Sequence, residues 1–272
     1  MRVGRESWFL VGVFLVGCDY EVPTSTVDAG SVEATAFESA NALVRAEDMA
    51  TPGANPVVLA AGAFGPVFAY EPLADRLRKR GYDVHIFTIA KPLQAMEASA
   101  PALATFVDGV LAATGASQVD IITHSQSGLL ARYYARFLGG AEKIDALISM
   151  SGLQYGSKLA NVPPLLGLTN CLGVDVCVQL VEGSAFLRSL NEPNDTDGTI
   201  RYVNFGSKSD FAAIPYTNNF LYGTGDITNV AIQDQCPWRF VGHVTYITDS
   251  TVASGLYDAL AGRPITLDCT AL

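Results

Sequence analysis

The sequence predicts an α/β fold, a largely parallel central sheet with helices on both faces. From residue 56 onward, short apolar runs of strand length alternate with stretches whose apolar residues recur at helical spacing. Strands that alternate with helices build parallel sheets covered on both sides. Hydrophobic residues make up 49% of the 272 and charged residues 16%. That is enough apolar material for a sizeable core and too little charge for a chain that is disordered throughout.

The elements follow in order. A strand is predicted over residues 57–61, then a Gly-containing loop and a helix over 70–80 that Gly81 closes. A second strand covers 84–89 and a second helix 98–113. The third strand, 119–123, runs directly into a helix whose apolar face is Leu129, Leu130, Tyr133, Tyr134 and Phe137, ended by Gly139 and Gly140. Further strands are expected at 146–150, 202–205 and, briefly, 230–233, with a final helix over 251–261. The stretch 152–187 contains Pro163-Pro164 and two closely spaced cysteines and fits no sheet element. It is expected to be an insertion beside a site.

Residues 1–17 have a different logic. Arg2 and Arg5 precede an apolar stretch from Trp8 to Gly17, the pattern of an export signal. Leu15-Val16-Gly17-Cys18 then resembles the lipobox of bacterial lipoproteins. The resemblance implies a diacylated Cys18 and an exported chain, lipid-anchored in the bacterial cell envelope. The expected organisation is a signal over 1–17, the lipidated Cys18 and a flexible tether over 18–55, and a folded domain over 56–272. In an oxidising compartment the other four cysteines, Cys171, Cys177, Cys236 and Cys269, suggest two disulfides. Three pairings are open, and Cys171–Cys177 with Cys236–Cys269 is preferred. A net charge of −10 argues against a nucleic-acid partner. Three histidines and no CxxC pair leave little room for zinc, and no metal or organic cofactor is expected. No apolar run approaches the ~20 residues of a membrane-spanning helix.

The chemical signal is Asp120-Ile-Ile-Thr-His-Ser-Gln-Ser-Gly128. A strand, a sharp turn carrying Ser125 and an immediate helix make a nucleophile elbow, in which the serine is exposed at the carboxyl end of the sheet. The usual pentapeptide is Gly-x-Ser-x-Gly, because the residues two before and two after the serine crowd the neighbouring backbone. Here they are Thr123 and Ser127. His243, in Val241-Gly-His-Val-Thr, is the one histidine after Ser125 and is the candidate base. His85 lies within a strand, and His124 belongs to the turn.

These residues place the chain among its relatives. Residues 119–136, with Ser127-Gly-Leu-Leu-Ala-Arg-Tyr-Tyr134, resemble secreted bacterial triacylglycerol lipases and esterases of the α/β-hydrolase superfamily, class 2 lipase type. Val57-Val-Leu-Ala-Ala-Gly-Ala-Phe-Gly65 is similar to the family's His-Gly oxyanion loop, with Ala61 in place of the histidine. Ser184-Ala-Phe-Leu-Arg-Ser-Leu-Asn191 is similar to the segment before the acid-bearing strand. The resemblance implies Asp210 as the triad acid, with Asp226 as the alternative and a helix N-cap over 211–214 as the other reading of Asp210. It further implies an oxyanion hole of the Ala63 and Gln126 backbone N–H groups, and hydrolysis of apolar acyl esters through an acyl-enzyme. Phe64, Val67, Phe68 and residues 153–168 are expected to wall the pocket. The contrasting expectation is a non-catalytic envelope lipoprotein of the same fold, motivated by the departures at Ala61 and Thr123.

Overall fold

Alternation along the strands divides the apolar residues between two cores. In the computed structural model, which describes residues 46–63, 65–160 and 174–271, six strands form one sheet. They are β1 (Val57–Ala60), β2 (Val84–Phe87), β3 (Val119–His124), β4 (Ile144–Met150), β5 (Arg201–Gly206) and β6 (Asp226–Ala231). Val57, Leu59, Ile122, Ile148, Val203 and Phe205 point into one core, while Val58, Ala60, Ile121, Leu147 and Tyr202 point into the other. This period of two is what a strand buried on both faces requires.

Helices close both faces. On the first face lie α1 (Val67–Arg78), through Tyr70, Leu73, Ala74 and Leu77, and the last helix, α7 (Ser250–Leu260). On the second face lie α2 (Met96–Thr114), α3 (Gln126–Phe137) and α5 (Ala185–Asn191). Two short helices, α4 (Asp175–Gln179) and α6 (Ile232–Gln235), complete the order. Asp249 caps α7 by accepting from Val252 N–H at 3.0 Å, and Ser184 caps α5 by accepting from Leu187 N–H at 3.2 Å.

All neighbouring strands pair in parallel, in the order β2-β1-β3-β4-β5-β6. The chain steps from β1 outward to β2 and then returns to β3 on the other side of β1. That reversal leaves a crevice beyond the carboxyl ends of β1 and β3, the usual place for a ligand in such sheets.

Three expectations need correction. Helix α1 begins at Val67 rather than 70, because Val67 and Phe68 are exposed and so stand outside the apolar pattern that marks the helix. The strand expected at 230–233 lies instead at Asp226–Ala231, and residues 232–235 are helical. β6 is an edge strand whose Asp226, Thr228 and Asn229 face solvent, so its polar half reads as loop. At the end of the segment read as the tether, residues 47–50 are bonded to the domain. Ala50 N–H donates to Arg80 O at 2.7 Å, and Asp48 lies 3.3 Å from Arg263. No helix among the described residues is long and apolar enough to cross a membrane.

A buried acid marks the amino end of the sheet. Val119 faces Ile144 but Asp120 faces Ala146, a register shift that skips Asp145. Asp120 Oδ1 accepts the Ala146 N–H at 3.1 Å. Burial, reinforced by the Asp145 charge, pushes the Asp120 carboxyl up to about 7, against the weaker pull of Arg201 and of hydrogen bonds from Asn55 and Ala146. A carboxyl raised in the folded state contributes stability that is complete below the unfolded value near 4 and is lost as pH rises through about 7. Asp120→Asn stays neutral, so its stability relative to wild type should grow by roughly 2–4 kcal/mol between pH 4 and pH 8. Urea unfolding at the two pH values measures this, and a pH-independent difference would refute it.

Candidate active site

Ser125 joins β3 to α3 with φ 60° and ψ −132°, a left-handed conformation that costs a non-glycine residue about 1–3 kcal/mol. Close packing around the turn makes it tolerable. Gly128 lies against the chain after β4, where an added Cβ would stand 2.8 Å from Gly152 Cα. Hydrogen bonds absorb the two departures from the usual pentapeptide. Ser127 Oγ accepts from His124 N–H at 2.9 Å and lies 2.8 Å from Ala60 O, to which it can donate. Thr123 is fully buried and donates to Ser149 Oγ of the adjacent strand at 3.2 Å.

The structure brings Ser125, His243 and Asp210 together. His243 Nε2 lies 2.8 Å from Ser125 Oγ, and its Nδ1 lies 3.1 and 3.3 Å from the two Asp210 oxygens. With the carboxylate on Nδ1, the tautomer this network selects carries its proton there and leaves Nε2 to accept from the serine. Asp210 follows β5 and is 5% exposed. Burial would raise its carboxyl. Hydrogen bonds and charge from His243, with hydrogen bonds from Ser151 and Ala212 N–H, outweigh burial and hold it below the usual range. No helix forms over 211–214, although Asp210 Oδ1 does accept from the Ala212 and Ala213 N–H groups, at 2.8 and 3.2 Å.

Asp226 is not part of this site. It opens β6 and pairs with Arg201, the first residue of β5, at the opposite end of the sheet. His85 lies on β2, two strands from β3, with Nε2 3.1 Å from Asp83.

Ser151 is the participant that sequence reasoning missed. It follows β4 with φ 53°, fully buried, and its hydroxyl donates to Asp210 Oδ2 while lying 2.9 Å from His243 Nδ1. No spacing rule marks it, since a Ser-Gly pair after an apolar strand reads as an ordinary turn.

Gln126 opens α3, where the first N–H groups have no intrahelical acceptor. Its side chain reaches across to Pro92 O at 3.2 Å. Ala63 lies half-buried on the loop after β1, one residue beyond Gly62. A shallow groove of about 290 Å³, lined by Gly65, Pro66, Val67, Thr88, Ile89 and Pro92, runs beside that loop. Exposed apolar side chains stand on the segments around the site: Val67 and Phe68 open α1, Phe211 follows Asp210, and Phe240 and Val244 flank His243. The Phe211 and His243 rings are 5.8 Å apart. Phe64 and the segment 161–168, both expected in the pocket wall, lie outside the described residues, whereas Leu153 is buried rather than lining an open wall.

Cys236 and Cys269 form a disulfide with a Cα–Cα distance of 5.3 Å. Cys177 is disulfide-bonded as well. Cys171, its preferred partner, and Cys18 lie outside the described residues. Among the described residues, no three His, Cys, Asp or Glu side chains are grouped as metal ligands.

Residues 54–254 match the protein family Lipase (class 2). Among solved structures, Aspergillus fumigatus lipase B is similar at a TM-score of 0.67 and 18% identity, over 81% of this chain and 55% of that one. The mature form of a Bacillus licheniformis lipase is similar at 0.53 and 18% identity, over 72% and 88%. Its propeptide form is similar at 0.59 and 18%, over 82% and 53%. The chain thus spans little more than half the length of the fungal lipase. At these identities the likeness is one of fold, the α/β-hydrolase fold.

The turn itself can be tested through Ser127. Ser127→Ala removes the partner of two buried backbone groups, and an unpaired buried polar group costs about 1–3 kcal/mol. A matching loss in a urea melt is expected. Wild-type stability would show that Ser127 is only a small residue filling a small space.

Proposed function

The chain belongs to the class 2 lipase family, and we propose that it is a serine carboxylic ester hydrolase acting on apolar acyl esters through Ser125, His243 and Asp210. The observation that carries this reading is His243 spanning the other two, with Nε2 2.8 Å from the serine and Nδ1 3.1 Å from the acid. Ser125 Oγ attacks the ester carbonyl as His243 Nε2 takes its proton. Asp210 holds the imidazole in the required tautomer and stabilises the imidazolium. The tetrahedral oxyanion is received by the backbone N–H groups of Ala63 and Gln126, each worth about 3 kcal/mol in the transition state. His243 returns the proton to the leaving alcohol, and water then releases the acid from Ser125 by the same steps. Ser151 adds a hydroxyl donor to Asp210, which favours the charged carboxylate that the imidazolium needs.

The apolar side chains around the site and the groove beside the Ala63 loop support uncharged acyl esters as substrates. The sequence Leu15-Val16-Gly17-Cys18 supports a lipid anchor on Cys18 and an exported chain held in the bacterial cell envelope. A diacylglyceryl group supplies two acyl chains, enough for stable attachment.

Two sets of outcomes are expected. A fluorophosphonate probe should label the wild-type chain and not Ser125→Ala. Turnover of p-nitrophenyl esters should fall about 10⁴-fold or more in Ser125→Ala and His243→Ala. Asp210→Asn should be severe and Asp226→Asn silent. A folded wild-type chain that neither labels nor turns over would overturn the hydrolase reading in favour of a binding protein. For the anchor, Cys18→Ser should move the protein from the membrane fraction to the soluble one, or leave its signal uncleaved, with esterase activity retained. Mass spectrometry that finds an unmodified Cys18 in the mature chain would overturn the anchor alone.

A further inference from the structure

A buried chain of hydrogen bonds runs through the site and reaches His243 at its main chain, with the His124 and His243 rings 5.2 Å apart. Tyr70, on α1 and 2% exposed, receives the Gly62 N–H on its hydroxyl oxygen at 2.8 Å. The same oxygen lies 2.8 Å from His124 Nδ1, and His124 Nε2 lies 2.8 Å from the main-chain carbonyl oxygen of His243. A carbonyl can only accept, so the His124 proton sits on Nε2. Nδ1 is then the acceptor for the Tyr70 O–H, and every group in the chain is used once.

The packing is as tight as the bonding. A Cβ at residue 62 would lie 3.0 Å from His124 O and 3.1 Å from both His124 Nδ1 and Ser125 Cβ. A Cβ at residue 65 would lie 2.6 Å from the Tyr70 ring and 2.9 Å from its hydroxyl. Gly62, through its N–H, and Gly65, through its close approach to the ring, therefore both hold the Tyr70 phenol. His124 also stays neutral. Burial brings it down to about 4, helped by the His243 charge and opposed by its bond to the His243 carbonyl and by Asp210.

We infer that Tyr70 and His124 are positioning residues for ester hydrolysis, holding the loop that carries Ala63 and the loop that carries His243 in fixed relation to Ser125. A packed core needs no such chain. Phenylalanine would fill the space of Tyr70, and buried polar groups are costly unless fully paired. The two ends of this chain are the main chain beside the oxyanion donor and the main chain of the base itself. The inference rests on the proposed function and assigns it two residues outside the triad.

The test uses the full chain with p-nitrophenyl ester kinetics, thermal melts and imidazole ¹⁵N NMR. Tyr70→Phe removes only the hydroxyl and should lower kcat about 10- to 100-fold, the scale of a small misplacement of reacting groups, with KM little changed and a lowered melting midpoint, because the buried Gly62 N–H and His124 Nδ1 lose their partner. His124→Leu should do the same, and His124→Gln, which keeps a donor towards the His243 carbonyl, should recover part of the loss. Because the two residues act as one chain, the double variant Tyr70→Phe/His124→Leu should be no slower than His124→Leu alone. A folded Tyr70→Phe with wild-type kcat, or losses that multiply in the double variant, overturns the inference. In the resting protein, NMR should show His124 neutral with its proton on Nε2, and Tyr70→Phe should shift the His243 signals. A proton on Nδ1, or His243 signals that do not move, overturns the inference while leaving ester hydrolysis standing. A wild-type chain with neither turnover nor probe labelling overturns the function and the catalytic purpose of the chain with it, and NMR still decides whether the bonds exist.

Discussion

The left-handed turn at Ser125 is the constraint on which the site is built. A serine with φ 60° must be held there by its surroundings. The surroundings are backbone brought to near-contact on two sides: the Gly62 loop after β1 on one, and Gly128 against Gly152 after β4 on the other. Both contacts depend on β1, β3 and β4 being adjacent, parallel and in register. The sheet order is therefore part of the chemistry. It brings the loops after three strands to one point and lets α3 start there, with its unpaired N–H groups facing the crevice.

Charge at the site is arranged around the same point. Asp210 is almost wholly buried yet ionised, because His243, Ser151 and two main-chain N–H groups face its oxygens. Ser151 occupies a second left-handed position at the end of β4, beside the first at the end of β3. Neighbouring strands thus end in strained serines, one exposing its hydroxyl to the imidazole's far nitrogen and the other supporting the carboxylate behind it. Strain of this kind concentrates where geometry matters more than local stability.

Much of this was legible in the sequence, and the legible part has a common cause. Strands buried on both faces read as apolar runs, and those runs locate β1, β3, β4 and β5 to within one or two residues. Ser125 and His243 were legible because a strand–turn–helix signature and a shortage of histidines leave few choices. The edge strand β6 was displaced, since one side of it is polar and only Val230 is buried. The start of α1 lies outside the apolar pattern because Val67 and Phe68 are exposed. Ser151 and the link from Tyr70 to His124 were invisible for another reason. They join residues 59, 54 and 119 positions apart along the chain, and no local pattern encodes which loops will meet. Asp210 lay between these cases: its segment was recognisable, but only the register of β5 against β6 places Asp226 at the wrong end of the sheet.

The bridge between Cys236 and Cys269 has a consequence for how this molecule can be damaged. It closes a covalent ring that contains His243 and the whole of α7. A protease cutting once anywhere inside that ring opens the main chain without separating the pieces. The segment bearing the imidazole stays joined to the rest through the Cys236–Cys269 bridge, although the two ends at the cut are free. A clip in the exposed residues around Trp238 and Phe240 therefore need not separate His243 from the rest of the molecule.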